Sequence, residues 1–271
     1  MSLSALGLPS QRTLVMGILN VTPDSFADGG RYETTEKAIH RAKEMVAEGV
    51  DIIDVGGEST RPGAERINES TELERVIPVI TEIAKLNAVI SVDTTRSTVA
   101  DAAVKAGARI INDVSGGLAD SEMLGVAAKL NVPYIAMHWR GESKVMQERA
   151  VYKDVVGEVI AELQLRVAAA EAAGITRDNL ILDPGLGFAK ESSHNWEILS
   201  HLKEFIDLGY PLLIGASRKR FLGELTGATS ADDREAASIA LTTLLAGQGV
   251  WGVRVHSVKA HRDAIAVAGE F

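Results

Sequence analysis

The chain has 271 residues, of which 46% are apolar and 24% are charged, a balance typical of a folded protein with a sizeable core and not of a disordered chain. It contains no cysteine, which excludes disulfides, thiolate nucleophiles and cysteine-ligated zinc together. Its net charge of −9 argues against nucleic acid or an anionic membrane surface as a partner, because both require a basic face.

The first segment, residues 1–12, is predicted to be an extension that precedes a single domain over residues 13–271. This segment has neither a basic start nor a sustained apolar stretch of the kind that directs secretion. No run of about 18 apolar residues follows it, so the sequence predicts no membrane helix. We therefore expect a cytoplasmic protein.

Short β-branched apolar runs then alternate with longer amphipathic segments, a pattern typical of repeated βα units. The predicted strands are 14–21, 51–56, 88–93, 109–114, 133–138, 180–184, 211–216 and 252–256. Apolar residues recur at helical spacing in 34–48, 69–85, 96–106, 154–173 and 234–246. Eight nearly continuous apolar strands indicate burial on both faces and favour an α/β fold of the (β/α)8 TIM barrel type. A doubly wound open sheet is the alternative.

Polar residues crowd the carboxyl ends of the predicted strands. They are Asn20, the run 58–61, Asp93, Asn112, Asp113, His138, Asp183, Ser217, Arg218, Lys219, Arg254 and His256. In a barrel these ends meet at one mouth, where active sites lie. Strand ends can also be polar because they approach water. That alternative explains poorly why Asp93, Asn112 and Asp183 stand on buried strands, where unpaired polar side chains are costly. We therefore expect one ligand site.

Seven stretches carry a resemblance to a known family. They are MGILNVTPDSFADGG (16–30), GGESTRPGA (56–64), SVDTTR (91–96), INDVSGG (111–117), LDPGLGFAK (182–190), GASRKRFLG (215–223) and VRVHSVK (253–259). In this order, and over nearly the whole chain, they resemble the bacterial single-domain dihydropteroate synthases, which are pterin-binding enzymes. One stretch departs from the family, MHWRGES at 137–143, where many relatives carry a sequence such as MHMQG. The departure leaves the contacts of that loop open.

The resemblance implies that p-aminobenzoate displaces diphosphate from 6-hydroxymethyl-7,8-dihydropterin diphosphate to give 7,8-dihydropteroate. An ionised carboxylate can accept two N–H donors at once, as the pterin edge requires, and Asp183 suits this role. The further expected pterin contacts are Asp93, Asn112, Met137, Lys219 and Arg254. Arg218 and Lys219 could instead be a solvated pair in the first turn of a helix, although the helix dipole disfavours cations there.

The diphosphate is expected near the loops after strands 7 and 8, where barrels often hold phosphate. Its expected ligands are Asn20, Thr60, Arg61, Arg254 and His256. The resemblance implies that Asn20 also binds Mg2+, with water and substrate as the other ligands. Asn20 could instead cap the turn that follows it. The expected p-aminobenzoate contacts, which sulfonamides would share, are Phe26, Pro62, Phe188, Ser217 and Lys219.

The expected mechanism is a dissociative displacement with catalytic roles for Asp93, Lys219, Arg254 and Arg61, because no nucleophile and base pair is evident for a covalent intermediate. Loops 23–30, with Phe26 and Asp28, and 59–64, with Pro62, have the glycine and proline content of lids that exclude water.

Two alternative functions remain: a pterin-binding methyltransferase domain, expected to lack the Ser217–Lys219 stretch, and a non-catalytic pterin-binding paralogue. The resemblance also implies a homodimer. Its candidate interface is formed by helices 234–246 and 257–268, whose small apolar residues permit close packing.

Overall fold

The computed structural model describes residues 2–22, 31–59, 66–142 and 144–271. Within these residues the chain forms eight strands. They are β1 (Leu14–Asn20), β2 (Ile52–Gly56), β3 (Val89–Asp93), β4 (Ile110–Asp113), β5 (Tyr134–Met137), β6 (Leu180–Asp183), β7 (Leu213–Ile214) and β8 (Gly252–Val255). All eight predicted strands are confirmed. The largest difference is in β7, where only two of the six predicted residues are in the strand.

The strands form one parallel sheet in the order β6-β5-β4-β3-β2-β1-β8-β7. A parallel bridge between Leu182 and Leu212 joins the two outer strands, β6 and β7. The sheet therefore closes on itself as a (β/α)8 barrel, and the open doubly wound alternative is wrong.

Helices cover the outside of the barrel. They are α1 (Arg31–Ala47), α2 (Glu69–Ile83), α3 (Ser97–Ala106), α4 (Met123–Leu130), α5 (Val155–Ala172), α6 (Ser192–Ser200), α7 (Leu202–Ile206), α8 (Arg220–Thr226), α9 (Glu235–Gly247) and α10 (Val258–Ala268). Short 3-10 turns occur at Leu3–Leu6, Met146–Arg149, Arg177–Asn179 and Asp232–Arg234. The starts of α2 and α5 are set by caps, because Asn68 accepts from Thr71 N at 2.8 Å and Asp154 accepts from Gly157 N at 3.0 Å.

The core has two layers. The larger layer lies between the strands and the helices. The smaller one fills the interior of the barrel and consists of Leu14, Met16, Ile52, Ile110, Ile135, Ile181 and Leu213. Because alternate residues of a strand face the same side, the next inward positions are polar on several strands: Asp54, Asn112 and Asp183. The interior thus changes from apolar at the amino end of the strands to polar at the carboxyl end.

The amino-terminal segment lies at the apolar end of the barrel. Leu3, Leu6 and Leu8 pack against the inner core layer. Leu3 N donates to Asn179 Oδ1 at 3.0 Å, and Arg12 donates to both carboxylate oxygens of Asp51 at 2.8 and 2.6 Å. This segment covers the end of the barrel opposite the polar residues. Among the described residues, no helix is long and apolar enough to cross a membrane.

Candidate active site

Arg254 of β8 lies at the centre of a buried cluster inside the barrel. Its Nε donates to Asp54 Oδ2 at 2.6 Å, and a terminal nitrogen donates to Asp93 Oδ2 at 2.8 Å. Asn112 Nδ2 donates to the same Asp54 oxygen at 3.0 Å. Strands β2 and β3 therefore present Asp54 and Asp93 to one guanidinium, and Asn112 of β4 bonds Asp54 beside it. Charge-assisted bonds of this kind hold the planar group in a defined orientation.

Asp54 is a residue of this cluster that the sequence analysis missed. It is fully buried and stands in the middle of the apolar run of β2, two positions before Gly56. The position of Asp54 in a buried strand could have revealed it, because an inward-facing carboxylate there is costly unless a cation pairs with it. The prediction considered only the ends of strands, and Asp54 lies one layer deeper.

Asp93 has a strongly altered acidity. Burial raises the pKa of Asp93 to about 7, the guanidinium of Arg254 opposes this rise, and the neighbouring carboxylate of Asp54 adds to it. Near neutral pH the protonated and ionised forms of the Asp93 carboxyl group are therefore both accessible, and nearby charges shift the balance between them.

Asp183 and Lys219 form the other side of the site. Asp183 Oδ1 accepts from Gly185 N at 2.7 Å, and burial raises the pKa of Asp183 while Lys219 opposes that rise. Lys219 Nζ donates to the carbonyl oxygen of Leu186 and lies 4.8 Å from the centroid of the Phe188 ring. Burial lowers the pKa of Lys219 to about 8, and Asp183 opposes this fall. Lys219 thus lies partly buried between Asp183, Leu186 and Phe188, and it is not a freely solvated residue.

Two glycines show that these groups share one space. A methyl group on Gly215 would lie 3.8 Å from Asp183 Oδ2, 3.8 Å from Lys219 Nζ and 3.9 Å from Arg254 Cβ. A methyl group on Gly56 would lie 3.6 Å from both Asn20 Oδ1 and Asp93 Oδ2. The absence of a side chain at these two positions leaves room between the charged groups for a ligand. Met137, which is buried, lies against Gly185 at the same end of the barrel.

Ser217, Arg218 and His256 occupy the rim. Ser217 Oγ and His256 Nδ1 are 3.0 Å apart. Arg218 has a left-handed backbone with a φ of 59°, and its side chain bonds Glu235 at 2.5 Å and Asp232 at 2.6 Å. Arg218 therefore ties the loop between Ser217 and Lys219 to the start of α9 and is paired with carboxylates there, although the sequence analysis grouped it with the polar residues expected at the ligand site.

An open cavity continues from Asp93 towards solvent between the loops that follow β2 and β5. It is lined by Glu58, Ser59, Arg66, Glu72, Asp93, Thr94, Thr95, Val114, Ala119, Trp139, Gly141, Glu142, Met146 and Phe188. Arg96 holds one wall in place, because it donates to Glu58 at 2.6 Å, to Glu72 and to the Ile67 carbonyl oxygen at 2.6 Å. Trp139 belongs to the stretch that departs from the family pattern, so that stretch forms part of the cavity wall.

Several predicted contacts lie outside the described residues: Phe26, Asp28, Thr60, Arg61 and Pro62, with most of the two predicted lid loops. Within the described residues the structure brings together Asn20, Asp93, Asn112, Met137, Asp183, Phe188, Lys219 and Arg254, with Ser217 and His256 on the rim. The same part of the chain contains no group of three or more His, Cys, Asp or Glu side chains that could hold a metal ion.

Comparison with known proteins agrees with this geometry. Residues 16–256 match the family model described as pterin binding enzyme. The dihydropteroate synthase of Mycobacterium leprae is 51% identical over 261 residues, which cover 94% of this chain and 92% of that protein.

Solved structures give the same result. The Xanthomonas albilineans dihydropteroate synthase with 4-aminobenzoic acid superposes with a TM-score of 0.89 at 46% identity, covering 94% of this chain and 92% of that one. The Yersinia pestis enzyme in a sulfonamide drug complex superposes with a TM-score of 0.90 at 39% identity, covering 97% and 95%. The predicted family is confirmed: the chain belongs to the pterin binding enzymes and, within them, to the dihydropteroate synthases, transferases of folate biosynthesis.

Proposed function

We propose that the polar end of the barrel binds 6-hydroxymethyl-7,8-dihydropterin diphosphate and p-aminobenzoate and joins them into 7,8-dihydropteroate. The observation that supports this most strongly is the convergence of Asp183, Lys219 and Arg254 around Gly215. Two relatives add support, since one was solved with 4-aminobenzoic acid and the other in a complex with a sulfonamide drug.

The pterin ring would lie between Asp183 and Asn112. Asp183 Oδ1 accepts from Gly185 N, so Oδ2, which lies beside Gly215 as Lys219 Nζ does, is the oxygen that would accept from the ring N–H groups. Asn112 uses its Nδ2 on Asp54, which leaves its Oδ1 as a second acceptor with a fixed direction. Lys219 would donate to the ring carbonyl, Met137 would contact one face of the ring and Arg254 would stack on it.

The reaction breaks the bond between the exocyclic carbon of the pterin and the diphosphate oxygen, and the electron pair leaves with the diphosphate. The carbon becomes cationic and conjugated with the ring, and Asp93, bonded to Arg254 at 2.8 Å, provides a nearby negative charge. The aniline nitrogen of p-aminobenzoate then forms the new bond and loses a proton. Arg61, Thr60, Arg254 and His256 would bind the departing diphosphate.

The residues present are compatible with Mg2+. Asn20 Oδ1 lies beside Gly56 and Asp93, at the polar end of the barrel, and an amide oxygen is a suitable ligand for this ion. Because magnesium commonly keeps several waters and binds substrate phosphates, the sparse set of protein ligands fits this metal. When bound, it would neutralise part of the negative charge that develops on the diphosphate oxygens.

The p-aminobenzoate ring would pack against Phe188, which Lys219 already contacts, and its carboxylate would reach Ser217. Phe26 and Pro62 of the predicted lids would complete this pocket and exclude water. We further propose a homodimer that uses the faces of α9 and α10. Leu244 on α9 and Val267 on α10 are exposed apolar residues that such an interface would cover.

The test is turnover by the purified protein supplied with both substrates and Mg2+. We expect 7,8-dihydropteroate and diphosphate in equal amounts, loss of activity on chelation and recovery on adding Mg2+. The matched control omits p-aminobenzoate. Binding of both ligands without release of diphosphate would refute the proposal and favour the non-catalytic paralogue.

A further inference from the structure

The loop between β6 and α6, residues 185–190, makes three contacts that shape the site. Gly185 N donates to Asp183, the carbonyl oxygen of Leu186 accepts from Lys219, and the Phe188 ring lies beneath the Lys219 ammonium. The conformation of this loop therefore sets the position of Phe188 and of the backbone groups that bond Asp183 and Lys219.

The conformation of the loop is a strained one. Gly185 and Gly187 have φ values of 68° and 77°, which glycine adopts without cost. Ala189, however, is fully buried with a φ of 48°, in the left-handed region that residues with a side chain avoid. A backbone of this kind persists only where surrounding contacts hold it.

Lys190 supplies those contacts from inside the loop. It is 4% exposed, and its Nζ lies 3.0 Å from the Gly185 carbonyl oxygen and 3.1 Å from the Phe188 carbonyl oxygen. The third partner is His138 Nδ1 at 2.8 Å. Each of the three directions in which this amino group can bond therefore has a polar partner. Burial lowers the pKa of Lys190 well below its usual value, and the Asp183 carboxylate opposes this fall. The loop is thus folded around one buried lysine amino group.

His138 sets the direction of the third bond. It is buried, and burial, together with the charge of Lys190, lowers the pKa of His138 to about 4, so its ring is neutral near pH 7. Its Nε2 lies 3.0 Å from Glu162 Oε2 on α5, and Arg140 bonds the same carboxylate at 3.1 Å. The arrangement requires a proton on Nε2, which leaves Nδ1 to accept from Lys190. Glu162, through His138, therefore orients Lys190.

We propose that Lys190 is a positioning residue for the reaction, and that His138 makes it one by acting as its hydrogen-bond acceptor. The pair holds Phe188 at the p-aminobenzoate side of the site while β6 itself holds Asp183. This inference rests on the proposed function. It assigns a role to a buried lysine that is not among the residues proposed above to bind the pterin or the diphosphate.

The first test is the variant Lys190→Met, which keeps the length of the side chain but removes all three donors. We expect the KM for p-aminobenzoate to rise about ten-fold or more, since the hydrogen bonds of Lys190 hold the segment that carries Phe188, and the KM for the pterin diphosphate to change by less than about three-fold. Lys203→Met is the matched control, because Lys203 is exposed on α7 and pairs with Asp207. Thermal unfolding of each variant reports on the fold.

Two histidine variants give a second test that does not depend on losing the lysine. In His138→Asn the amide oxygen takes the place of Nδ1, whereas in His138→Gln the amide group takes the place of Nε2. We expect His138→Asn to keep a nearly normal KM for p-aminobenzoate and His138→Gln to behave like Lys190→Met. Equal effects of the two variants, or a folded Lys190→Met with an unchanged KM, would overturn the inference. Absence of turnover by the unaltered protein would instead count against the proposed function.

Discussion

Replacing Asp183 by Asn tests the centre of the proposed pterin site with almost no change of shape. Asp183 is 6% exposed, its Oδ2 lies beside Gly215 near the Lys219 ammonium, and its Oδ1 accepts from Gly185 N. In Asp183→Asn the amide oxygen can keep the bond to Gly185, and the NH2 group then points at the lysine and at the ligand. Both neighbours are donors, so one acceptor for the ring N–H groups is lost and a repulsion is added.

The expected loss follows from the burial of this group. Removing one charged partner from a desolvated hydrogen-bonded pair costs about 2–5 kcal/mol, which corresponds to a loss in affinity of about 30-fold to several-thousand-fold. Calorimetric titration with a dihydropterin that lacks the diphosphate isolates the contribution of the ring. The fold should survive, because the backbone bond to Gly185 is retained.

Asp178→Asn is the matched control for this experiment. Asp178 lies in the 3-10 turn that precedes β6 and is exposed at the opposite end of the barrel. The Asp178→Asn variant should bind the dihydropterin as tightly as the unaltered protein does. Near-normal affinity in a folded Asp183→Asn would remove Asp183 from the pterin site and refute the orientation proposed for the ring.

Three further predictions concern the charged cluster and the second substrate. Asp54→Asn should lower kcat/KM about 10-fold to 100-fold by loosening Arg254. The same variant should move the acid limb of the pH profile of kcat/KM to lower pH, since the Asp54 charge raises the pKa of Asp93. An acid limb at an unchanged pH would contradict this coupling. The pH dependence of kcat/KM should be bell-shaped, because Asp93 takes up a proton below about pH 7 and weakens its bond to Arg254, and Lys219 loses its proton above about pH 8. A flat profile from pH 6 to pH 9, measured at saturating Mg2+, would show that neither group titrates in the free enzyme. In a calorimetric titration, a sulfonamide should bind more tightly by about 1–3 kcal/mol when magnesium diphosphate is present. Equal sulfonamide affinities with and without magnesium diphosphate would show that the pocket is already formed without the anion.

Much of this fold could be predicted from the sequence, because its signals are local. Each strand is a short apolar run, and the alternation of inward and outward residues follows from the geometry of a strand alone. The eight repeats indicated closure, and the closing bridge between Leu182 and Leu212 confirms it. The polar residues at the carboxyl ends, such as Asp183, could be assigned to one site because parallel strands end at the same edge of a barrel.

Other features could not be read from local patterns. The predicted strand at 211–216 is shortened to Leu213–Ile214, and Asp54 was overlooked because its apolar neighbours made it look like part of a strand interior. Arg218 stands between two ligand-site residues in the sequence but is turned towards α9, because its left-handed backbone reverses the direction of the side chain.

The amino-acid sequence by itself determined which residues face the interior of the barrel and at which end of the strands they lie. Only the tertiary structure decided which of them bond to one another. Arg254 reaches Asp54, 200 positions away, and Asp93, 161 positions away, while Lys190 reaches His138 across 52 positions. The Arg254 pairings depend on the curvature of the barrel, which brings β8 close to β2 and β3, and the Lys190 pairing depends on the register of the neighbouring strands β5 and β6. In both cases a buried polar group needs a partner.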